Sequence, residues 1–354
     1  MEFPRARTVL TSALKARAFP AAVCEVGRST APLWTEPFGR FTYDIDAPAT
    51  RRDTVFDLAS LTKVIATTSI ATSLVRRNLM SLETRVADVF DTWRGTDREG
   101  VTVGHLLDHS SGLPANLPVA QSAGLESDAQ ALLLAVPLER PPGTSSVYSD
   151  VGFMILGLLL EAVDGRALDV QWDALWSGRP GAGAPDEWLS YRPGTELRPY
   201  IAPTEIGRTT GKLIHGVVHD ENTRILGGVA AHAGLFGRAG AVGVFATWVL
   251  RSFHEATWLA TPELMRRFAA RRGVPGSSRA LGWDTMRPSS SCGSRMSATA
   301  IGHTGFTGTS LWIDWERDLY FVLLTNRVHP TRANERFLAC RAEFHDAVFS
   351  DLER

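Results

Sequence analysis

Hydrophobic and polar residues follow strand-like patterns near both ends of the chain. Near the N-terminus, Ala21 to Gly27 and Leu33 to Tyr43 predict two strands of a meander, and a helical pattern from Thr8 to Arg17 precedes them. Near the C-terminus, Ser310 to Ile313 and Leu319 to Thr325 predict a hairpin. Both ends of the chain are therefore predicted to contribute strands.

The residues between these strand regions have mainly helical and loop patterns. Ser60 to Val75 has apolar residues at helical spacing, and the apolar run Val151 to Val163 predicts another helix. Leu79 to about Gly282 is predicted to be mainly helix and loop, and a helix from Thr331 is predicted to run to the C-terminus. Strands at both ends with helices between them indicate an α/β (α+β) fold class.

The composition adds a size estimate and excludes some partners. With 354 residues, 44% of them hydrophobic, the chain can form two domains or one large α/β unit with a helical insertion. Its 37 basic and 38 acidic residues give a net charge of −1, so a nucleic-acid partner is not predicted. Cys24, Cys292 and Cys340 are odd in number and lack a Cys-x-x-Cys motif, which predicts free buried thiols.

Neither a targeting segment nor a membrane span is predicted. Met1 to Phe19 contains several basic residues and only short apolar stretches, whereas a secretory signal needs an apolar core of about 7–15 residues. The longest apolar run, Val151 to Val163, is shorter than the roughly 20 residues that span a bilayer. We therefore expect no membrane insertion and a cytoplasmic location.

The segment Ser60-Leu61-Thr62-Lys63 has the strongest chemical signal. Positions three residues apart share one face of a helix, so the Ser60 hydroxyl and the Lys63 amine are expected to meet. A serine hydroxyl becomes nucleophilic when a neighbouring base takes its proton, and a lysine kept neutral by burial or nearby cations can be that base. This pair is the minimum machinery for an acyl-enzyme, although Ser-x-x-Lys alone also occurs by chance.

Two further segments can supply the remaining roles. Ser149 or Asp150 can cap the helix that follows, which leaves the Tyr148 hydroxyl at its mouth as a possible proton shuttle. Gly302 to Gly308 opens a β-patterned region where glycines let a substrate approach the backbone and amides can receive an oxyanion. Alone, each segment is also compatible with a structural role, as a half-buried anchor or a turn.

In this order, Ser60–Lys63, Tyr148–Asp150 and His303–Gly305 resemble the Ser-x-x-Lys, Tyr-x-Asn and Lys-Thr-Gly motifs of the serine β-lactamase and penicillin-binding-protein family, near its class C branch. The resemblance covers most of the chain. Other segments that contribute to it are Phe56 to Ala59, Val101 to Pro114, Tyr148 to Gly157, His219 to Asn222, Ala231 to Phe236 and Gly302 to Pro330.

The resemblance implies a β-lactamase/transpeptidase-like fold. In that fold an antiparallel sheet made from both termini is flanked by helices, and a mainly helical domain is inserted. Residues 1–65 and 283–354 would form the sheet domain, and residues 66–282 would form the insertion. The active site would lie in the cleft between the two domains.

The resemblance also implies roles for individual residues. Ser60 would attack a carbonyl group, and Lys63 and Tyr148 would accept and relay its proton. The backbone amides of Ser60 and Phe306 would form the oxyanion hole. The residues expected to orient the substrate are Asp150, His303, Thr304 and Gly305.

Two departures from the family pattern bear on the substrate. Asp150 replaces the usual asparagine, and a carboxylate cannot donate the amide hydrogen bond that asparagine offers to a substrate carbonyl. His303 replaces the usual lysine, so the cation that would hold a substrate carboxylate becomes weaker and pH-dependent. Both changes argue against efficient penicillin hydrolysis.

The remaining histidines give a weaker signal. His215 and His219 are four residues apart, but no third ligand accompanies them, and neither a metal nor a cofactor is expected. His219, Asp220 and Asn222 are followed by small residues, so they either face the cleft on a loop or merely organise that loop. His109 is expected on a short helix as a core or surface residue.

Together these features predict a serine hydrolase that acts on a small molecule through an acyl-enzyme. The favoured target is an amide bond in a peptidoglycan-derived or D-amino-acid-containing substrate. A small-ester hydrolase is one alternative, and a non-catalytic, penicillin-binding-like scaffold is another. The sequence leaves the oligomeric state open.

Overall fold

The computed structural model describes residues 2–117, 126–184 and 187–353. Its strands are β1 (Ala21–Gly27), β2 (Pro32–Gly39), β3 (Val55–Asp57), β4 (Leu189–Tyr191), β5 (Leu235–Arg238), β6 (Asp284–Thr285), β7 (Ile301–Gly305), β8 (Thr309–Asp314) and β9 (Leu319–Thr325). Its α-helices are Pro4–Lys15, Thr68–Arg76, Val86–Val89, Val103–Leu107, Glu126–Ala135, Asp150–Asp164, Leu168–Ser177, Glu221–Ile225, Ala239–Ser252, Pro262–Ala269 and Phe337–Leu352. Short 3₁₀ helices are Asp91–Trp93 and Thr195–Tyr200, and a π-helix is Lys63–Thr67.

Six strands form one antiparallel sheet in the order β2-β1-β9-β8-β7-β6. β1 lies between β2 and β9, so the first and last strands of the chain are neighbours, with Val23 opposite Leu324. The expected antiparallel sheet built from both termini is therefore confirmed.

The two faces of this sheet are covered by different helices. Side chains alternate along a strand, so successive residues of β1 enter different cores. Val23 packs into the core that includes the helix Ala239–Ser252, whereas Cys24 packs into the core under the N-terminal and C-terminal helices. Cys24, Cys292 and Cys340 are all free and buried, as predicted.

A second sheet has three strands in the order β3-β5-β4. Its strands β4 and β5 lie in the region that was predicted to be mainly helix and loop. Strands of three or four residues are too short for an alternating pattern to identify them. β3 ends at Asp57, just before Ser60, and Asp57 pairs with Phe236 of β5, so this sheet fixes the entry to the Ser60 segment.

Three predicted helices have different bounds in the structure. The N-terminal helix begins at Pro4 rather than Thr8, because the fixed backbone angle of proline suits the first turn of a helix. The C-terminal helix begins at Phe337 rather than Thr331. The helix predicted from Ser60 to Val75 is interrupted by the π-helix.

The π-helix Lys63–Thr67 is stabilised by side-chain bonds to backbone carbonyls. Thr68 Oγ1 donates to the Lys63 carbonyl at 2.7 Å, and Thr67 Oγ1 donates to the Ala231 carbonyl at 2.6 Å. Such threonine bonds compete with the regular helical ladder. A π-helical turn is rare and often marks a functional site, and apolar periodicity does not reveal it.

The division into a sheet domain and a helical insertion stays a prediction. The helix Ala239–Ser252 belongs by sequence to the predicted insertion, yet it packs on β1 and β9 of the large sheet. Within the described ranges, no helix is both long enough and apolar enough to cross a membrane.

Candidate active site

A tight turn places Ser60 at the start of its helix. Ala59 has a positive φ of 47°, which is uncommon for a residue with a side chain. The Asp57 carboxylate accepts a hydrogen bond from the Ala59 amide at 2.9 Å, and Thr62 Oγ1 donates to the Ala59 carbonyl at 2.6 Å. These bonds hold the strained turn, so Ser60 has a fixed position at the mouth of a cleft.

Lys63 is fully buried and lies beside Ser60. Its Nζ atom is 3.2 Å from Ser60 Oγ, which confirms that the two side chains meet across one helical turn. Nζ also donates to the His232 carbonyl at 2.9 Å and lies 2.7 Å from Asp150 Oδ1. Asp150, which replaces the family asparagine, therefore pairs with the lysine.

The charge state of Lys63 differs from the sequence expectation of a neutral base. Burial lowers the pKa of Lys63, but the charges and hydrogen bonds of Asp150 and Tyr148 outweigh burial, so the pKa is raised above its ordinary value. Burial and nearby cations, which both favour a neutral amine, are therefore not the whole environment of Lys63. Asp150 introduces an anion, and an anion stabilises the protonated amine.

Tyr148 lies at the N-terminus of the helix Asp150–Asp164. Ser149 caps this helix, because its Oγ accepts a hydrogen bond from the Gly152 amide at 2.9 Å. Lys63 Nζ lies 4.9 Å from the centroid of the Tyr148 ring. The predicted cap and the predicted position of Tyr148 at the mouth of the helix are thus both found.

His109 supports Tyr148, a role that sequence reasoning missed. Its ring lies 4.7 Å from the Tyr148 ring, and its Nδ1 accepts a hydrogen bond from the Ser149 amide at 3.1 Å. Burial first, then the charges of Arg279 and Lys63, keep the pKa of His109 well below its usual range. The helix that was expected to contain His109 ends at Leu107. The feature of the sequence that pointed to this region was the family resemblance of the segment Val101 to Pro114.

The β7–β8 turn forms the opposite side of the cleft. Thr307 Oγ1 donates to the Asp57 carbonyl at 2.7 Å, and Thr309 Oγ1 donates to the Leu58 carbonyl at 2.9 Å. A Cβ atom on Gly305 would lie 2.5 Å from the Leu58 carbonyl oxygen, so only glycine permits this approach. The turn that carries Phe306 is thereby fastened to the segment that leads into Ser60.

His303 and Thr304 line the cleft next to this turn. Burial, followed by the positive charges of Arg279 and Lys63, holds the pKa of His303 well below its usual range. This direction agrees with the expectation that His303 supplies a weaker positive charge than the lysine of the family motif. Because most of its surface is removed from water, the charged form is too costly.

Two arginines bring positive charge to the cleft instead. Arg279 lies 5.1 Å from the Tyr148 ring centroid, and Arg341 reaches the Gly305 carbonyl at 3.5 Å. Burial, followed by the charge of Arg327, lowers the pKa of Arg341 to about 10. Among the described residues, no carboxylate forms an ion pair with Arg279 or Arg341.

The polar atoms of His219 and its neighbours are mainly hydrogen-bonded to other protein groups. His219 Nε2 lies 3.0 Å from Glu205 Oε2, its backbone amide donates to Asp57 at 2.6 Å, and its ring stacks on Phe306 at 5.7 Å. Asp220 caps the helix Glu221–Ile225 through the Thr223 amide. These contacts favour the view that the segment organises a loop at the cleft.

The other members of this segment also have defined contacts. Asn222 Nδ2 donates to the Leu117 carbonyl at 3.0 Å, and His215 Nε2 lies 2.9 Å from the Ile201 carbonyl. Burial raises the pKa of Asp220, but the nearby His232 and the Thr223 bonds outweigh it and hold the pKa far below its usual range. In the part of the chain that the structure describes, no cluster of side chains is arranged to hold a metal ion.

The cleft between these groups has a volume of about 600 Å³. It brings together nearly all of the predicted site residues. Those that line it are Ser60, Tyr148, Asp150, His219, Asp220, His303, Thr304, Gly305 and Phe306. Lys63 lies beneath this lining in contact with Ser60.

The Beta-lactamase family model matches residues 7–341 of this chain. The chain belongs to the beta-lactamase family. It is 31% identical over 326 residues to the putative D-alanyl-D-alanine carboxypeptidase of Escherichia coli strain K12, covering 79% of this chain and 71% of that protein. It is also 30% identical over 306 residues to the N-acetylmuramyl-L-alanine amidase of Bacillus subtilis strain 168, covering 78% of this chain and 68% of that protein.

The fold agrees with this membership. The class C beta lactamase of Rhodobacter sphaeroides superposes with a TM-score of 0.77, covers 99% of both chains and is 17% identical. At that identity the similarity concerns the fold alone. Family membership and the two relatives together make this chain a serine hydrolase, and the expected β-lactamase/transpeptidase-like fold is confirmed.

Proposed function

We propose that this beta-lactamase-family hydrolase cleaves an amide bond through an acyl-enzyme on Ser60, in a peptidoglycan-derived or D-amino-acid-containing substrate. The observation that carries the proposal is the 3.2 Å contact between Ser60 Oγ and the buried Lys63 amine at an open cleft. A hydroxyl in contact with an amine and near a phenol has the partners that an activated serine needs.

The proposed reaction has two halves. Ser60 Oγ bonds to the carbonyl carbon, and the carbonyl electron pair moves to oxygen near the Ser60 and Phe306 amides. The Tyr148 oxygen takes up the Ser60 proton while the Tyr148 proton moves to the substrate nitrogen, and Lys63 stays protonated throughout. When the tetrahedral intermediate collapses, the C–N bond breaks and the amine leaves with that proton. Water then attacks the ester by the reverse proton route and frees Ser60.

Charge in the cleft supports an anionic substrate. Arg279 and Arg341 both line the cleft, and each lacks a carboxylate partner within the described ranges. A partly buried cation that lacks a protein counter-ion favours binding of an anion. Peptidoglycan stem peptides carry carboxylates, and the names of the two relatives refer to D-alanyl-D-alanine and N-acetylmuramyl-L-alanine bonds.

The proposal is tested by labelling with a fluorophosphonate probe followed by mass spectrometry. A single adduct is expected on Ser60, and Ser60→Ala should abolish it, whereas the exposed Ser289→Ala should leave it unchanged. Labelling at another residue, or no labelling with any acylating probe, would contradict the proposal and favour the scaffold alternative.

The substrate class is tested on the unmodified protein. Turnover of muramyl-peptide fragments and D-amino-acid amides is compared with turnover of short p-nitrophenyl esters and penicillins. We expect the highest kcat/KM among the amides that carry a carboxylate. Faster hydrolysis of uncharged esters would favour the small-ester hydrolase, and faster hydrolysis of penicillins would show that Asp150 and His303 do not disfavour β-lactam substrates.

A further inference from the structure

Asp150 lines the cleft, and its carboxylate also lies against the Lys63 amine, 2.7 Å from Nζ. We propose that Asp150 is a positioning residue, which acts as the counter-ion that keeps Lys63 protonated and directed at Ser60, and is not a ligand of the substrate. The proposal rests on the proposed acyl-enzyme function, because Lys63 has this role only if Ser60 is the nucleophile.

The surroundings of Lys63 match the donors of an ammonium group. An ammonium has three N–H bonds. Lys63 Nζ donates to the His232 carbonyl at 2.9 Å and to Ser60 Oγ at 3.2 Å, and it forms an ion pair with Asp150 Oδ1 at 2.7 Å. The carboxylate is the nearest of the three. The Lys63 side chain is 0% exposed, and a buried ammonium is costly unless an anion pairs with it.

The other groups that face Lys63 do not replace this anion. Tyr148 lies next to it, and burial, followed by the charges of Arg279 and Lys63, lowers the pKa of both His109 and His303, so neither ring supplies an anion. Arg279 is a further cation across the Tyr148 ring. Of the carboxylates in the described ranges, only Asp150 forms an ion pair with Lys63.

The backbone holds Asp150 in place. It is the first residue of the 15-residue helix Asp150–Asp164, where the helix dipole favours a negative charge. Its own amide donates to the Ala115 carbonyl at 2.8 Å. The same helix packs tightly against the chain segment that contains His232. A Cβ atom on Gly157 of the helix would lie only 2.8 Å from the Cβ atom of Ala231.

This arrangement has a consequence for Ser60. Because Lys63 donates a hydrogen bond to Ser60 Oγ, the Ser60 hydrogen is not held by Lys63 and can pass to Tyr148, as the proposed reaction requires. The ammonium is then the fixed positive charge at the atom that becomes an alkoxide during attack. Asparagine in place of Asp150 would keep the shape but remove the negative charge that holds the proton on Lys63.

The test uses the three lysines of the chain, Lys15, Lys63 and Lys212, as separate carbon-13 NMR signals in the full-length protein. In Asp150→Asn, the midpoint of Lys63 deprotonation should move to lower pH by about one pH unit or more, because an opposite charge has been removed. The alkaline limb of kcat/KM should move in the same direction, with KM changed less than kcat.

Matched variants separate the proposal from its alternatives. Asp284→Asn removes another carboxylate that lines the cleft and should move the Lys63 midpoint much less. Asp150→Glu keeps the charge and should restore most of the midpoint, and Asp150→Ala provides a second neutral variant if Asp150→Asn fails to fold. An unchanged Lys63 midpoint with a raised KM would overturn the proposal and make Asp150 a substrate ligand. The NMR titration needs no substrate, so failure of the proposed function at Ser60 is recognised separately by the labelling experiment.

Discussion

Two clusters of polar residues border the same cleft. They differ in how many of their hydrogen-bonding and charged atoms are already paired with other protein groups. The first, the Lys63 group, consists of Ser60, Lys63, Tyr148 and Asp150. The second, the Glu205 group, consists of Glu205, His219 and Arg332. Both contain an acid and a base in contact, so their composition alone does not separate a reactive site from a structural one.

The Glu205 group is closed. The buried Glu205 carboxylate accepts bonds from the Arg332 amide at 3.0 Å and Arg332 Nε at 2.6 Å, and His219 Nε2 lies 3.0 Å from it. Arg332 also pairs with Glu221 at 2.5 Å. Because the polar atoms of this group are paired with one another, few of them remain free to accept or donate a proton. The group can instead hold Phe306 in position, since the His219 ring stacks against it.

The Lys63 group is open on one side. Ser60, Tyr148 and Asp150 all line the cleft, while the amine of Lys63 is buried behind them. A half-buried hydroxyl at a cleft with an amine and a phenol beside it has the partners of an activated nucleophile. Polar groups that remain unpaired towards the cleft, more than the presence of an acid and base pair, therefore identify the reactive group.

The largest effect is expected from Lys63→Met. The change keeps the side-chain volume but removes the amine next to Ser60, so kcat/KM should fall by roughly 10²-fold or more while the fold is retained. The exposed Lys212→Met removes an amine far from this pair and serves as the control. Initial rates and circular dichroism measure the two properties, and activity within a few-fold of the parent would mean that the Lys63 group is not the reactive one.

Tyr148→Phe should have the next largest effect. It removes only the hydroxyl and preserves the ring contact with His109 at 4.7 Å, so acylation is expected to slow by about 10²-fold with little loss of stability. The half-exposed Tyr200→Phe is the matched control. A loss of stability in place of a loss of rate, seen by urea unfolding, would assign Tyr148 a packing role.

Features that depend on the spacing of residues within one segment were predictable from the sequence. Ser60 and Lys63 are three residues apart on one helix, so their contact followed from helical geometry. The helix cap at Ser149 and the strands of the terminal sheet were predictable for the same reason. The proton-relay role of Tyr148 stays a prediction, made from its place before the helix and from the motif resemblance.

Contacts between distant segments were not predictable in this way. The pairing of Lys63 with Asp150 joins residues from two helices, and it reversed the expected effect on the lysine charge. His109, whose Nδ1 accepts a hydrogen bond from the Ser149 amide, itself has a positive φ, a backbone conformation that apolar periodicity does not reveal. Glu205 had no local signal at all, because its partners His219 and Arg332 come together only through the fold.

Glu205→Gln tests the closed group and should affect stability more than rate. It keeps the shape but weakens bonds to a charged acceptor, so the free energy of unfolding should fall by about 2 kcal/mol. The exposed Glu263→Gln should have almost no effect. We expect kcat/KM to stay within about tenfold of the parent, and a far larger loss of rate without a loss of stability would place Glu205 in the chemistry.

The smallest effect is expected when the stabilities of the parent and Glu205→Gln are compared at acidic pH. Burial raises the pKa of Glu205, but its bonds from Arg332 and His219 outweigh burial, so the pKa lies below its ordinary value of 4.5. A carboxylate with a lowered folded pKa contributes stability that is present above the unfolded pKa and is lost as pH falls through the folded pKa. The stability difference between the parent and Glu205→Gln should therefore be full at pH 7 and shrink to under about 1 kcal/mol once the pH is well below 4.5. Urea unfolding at a series of pH values measures this difference. A difference that stays constant into acid would show that Glu205 stabilises the protein through shape rather than through its charge.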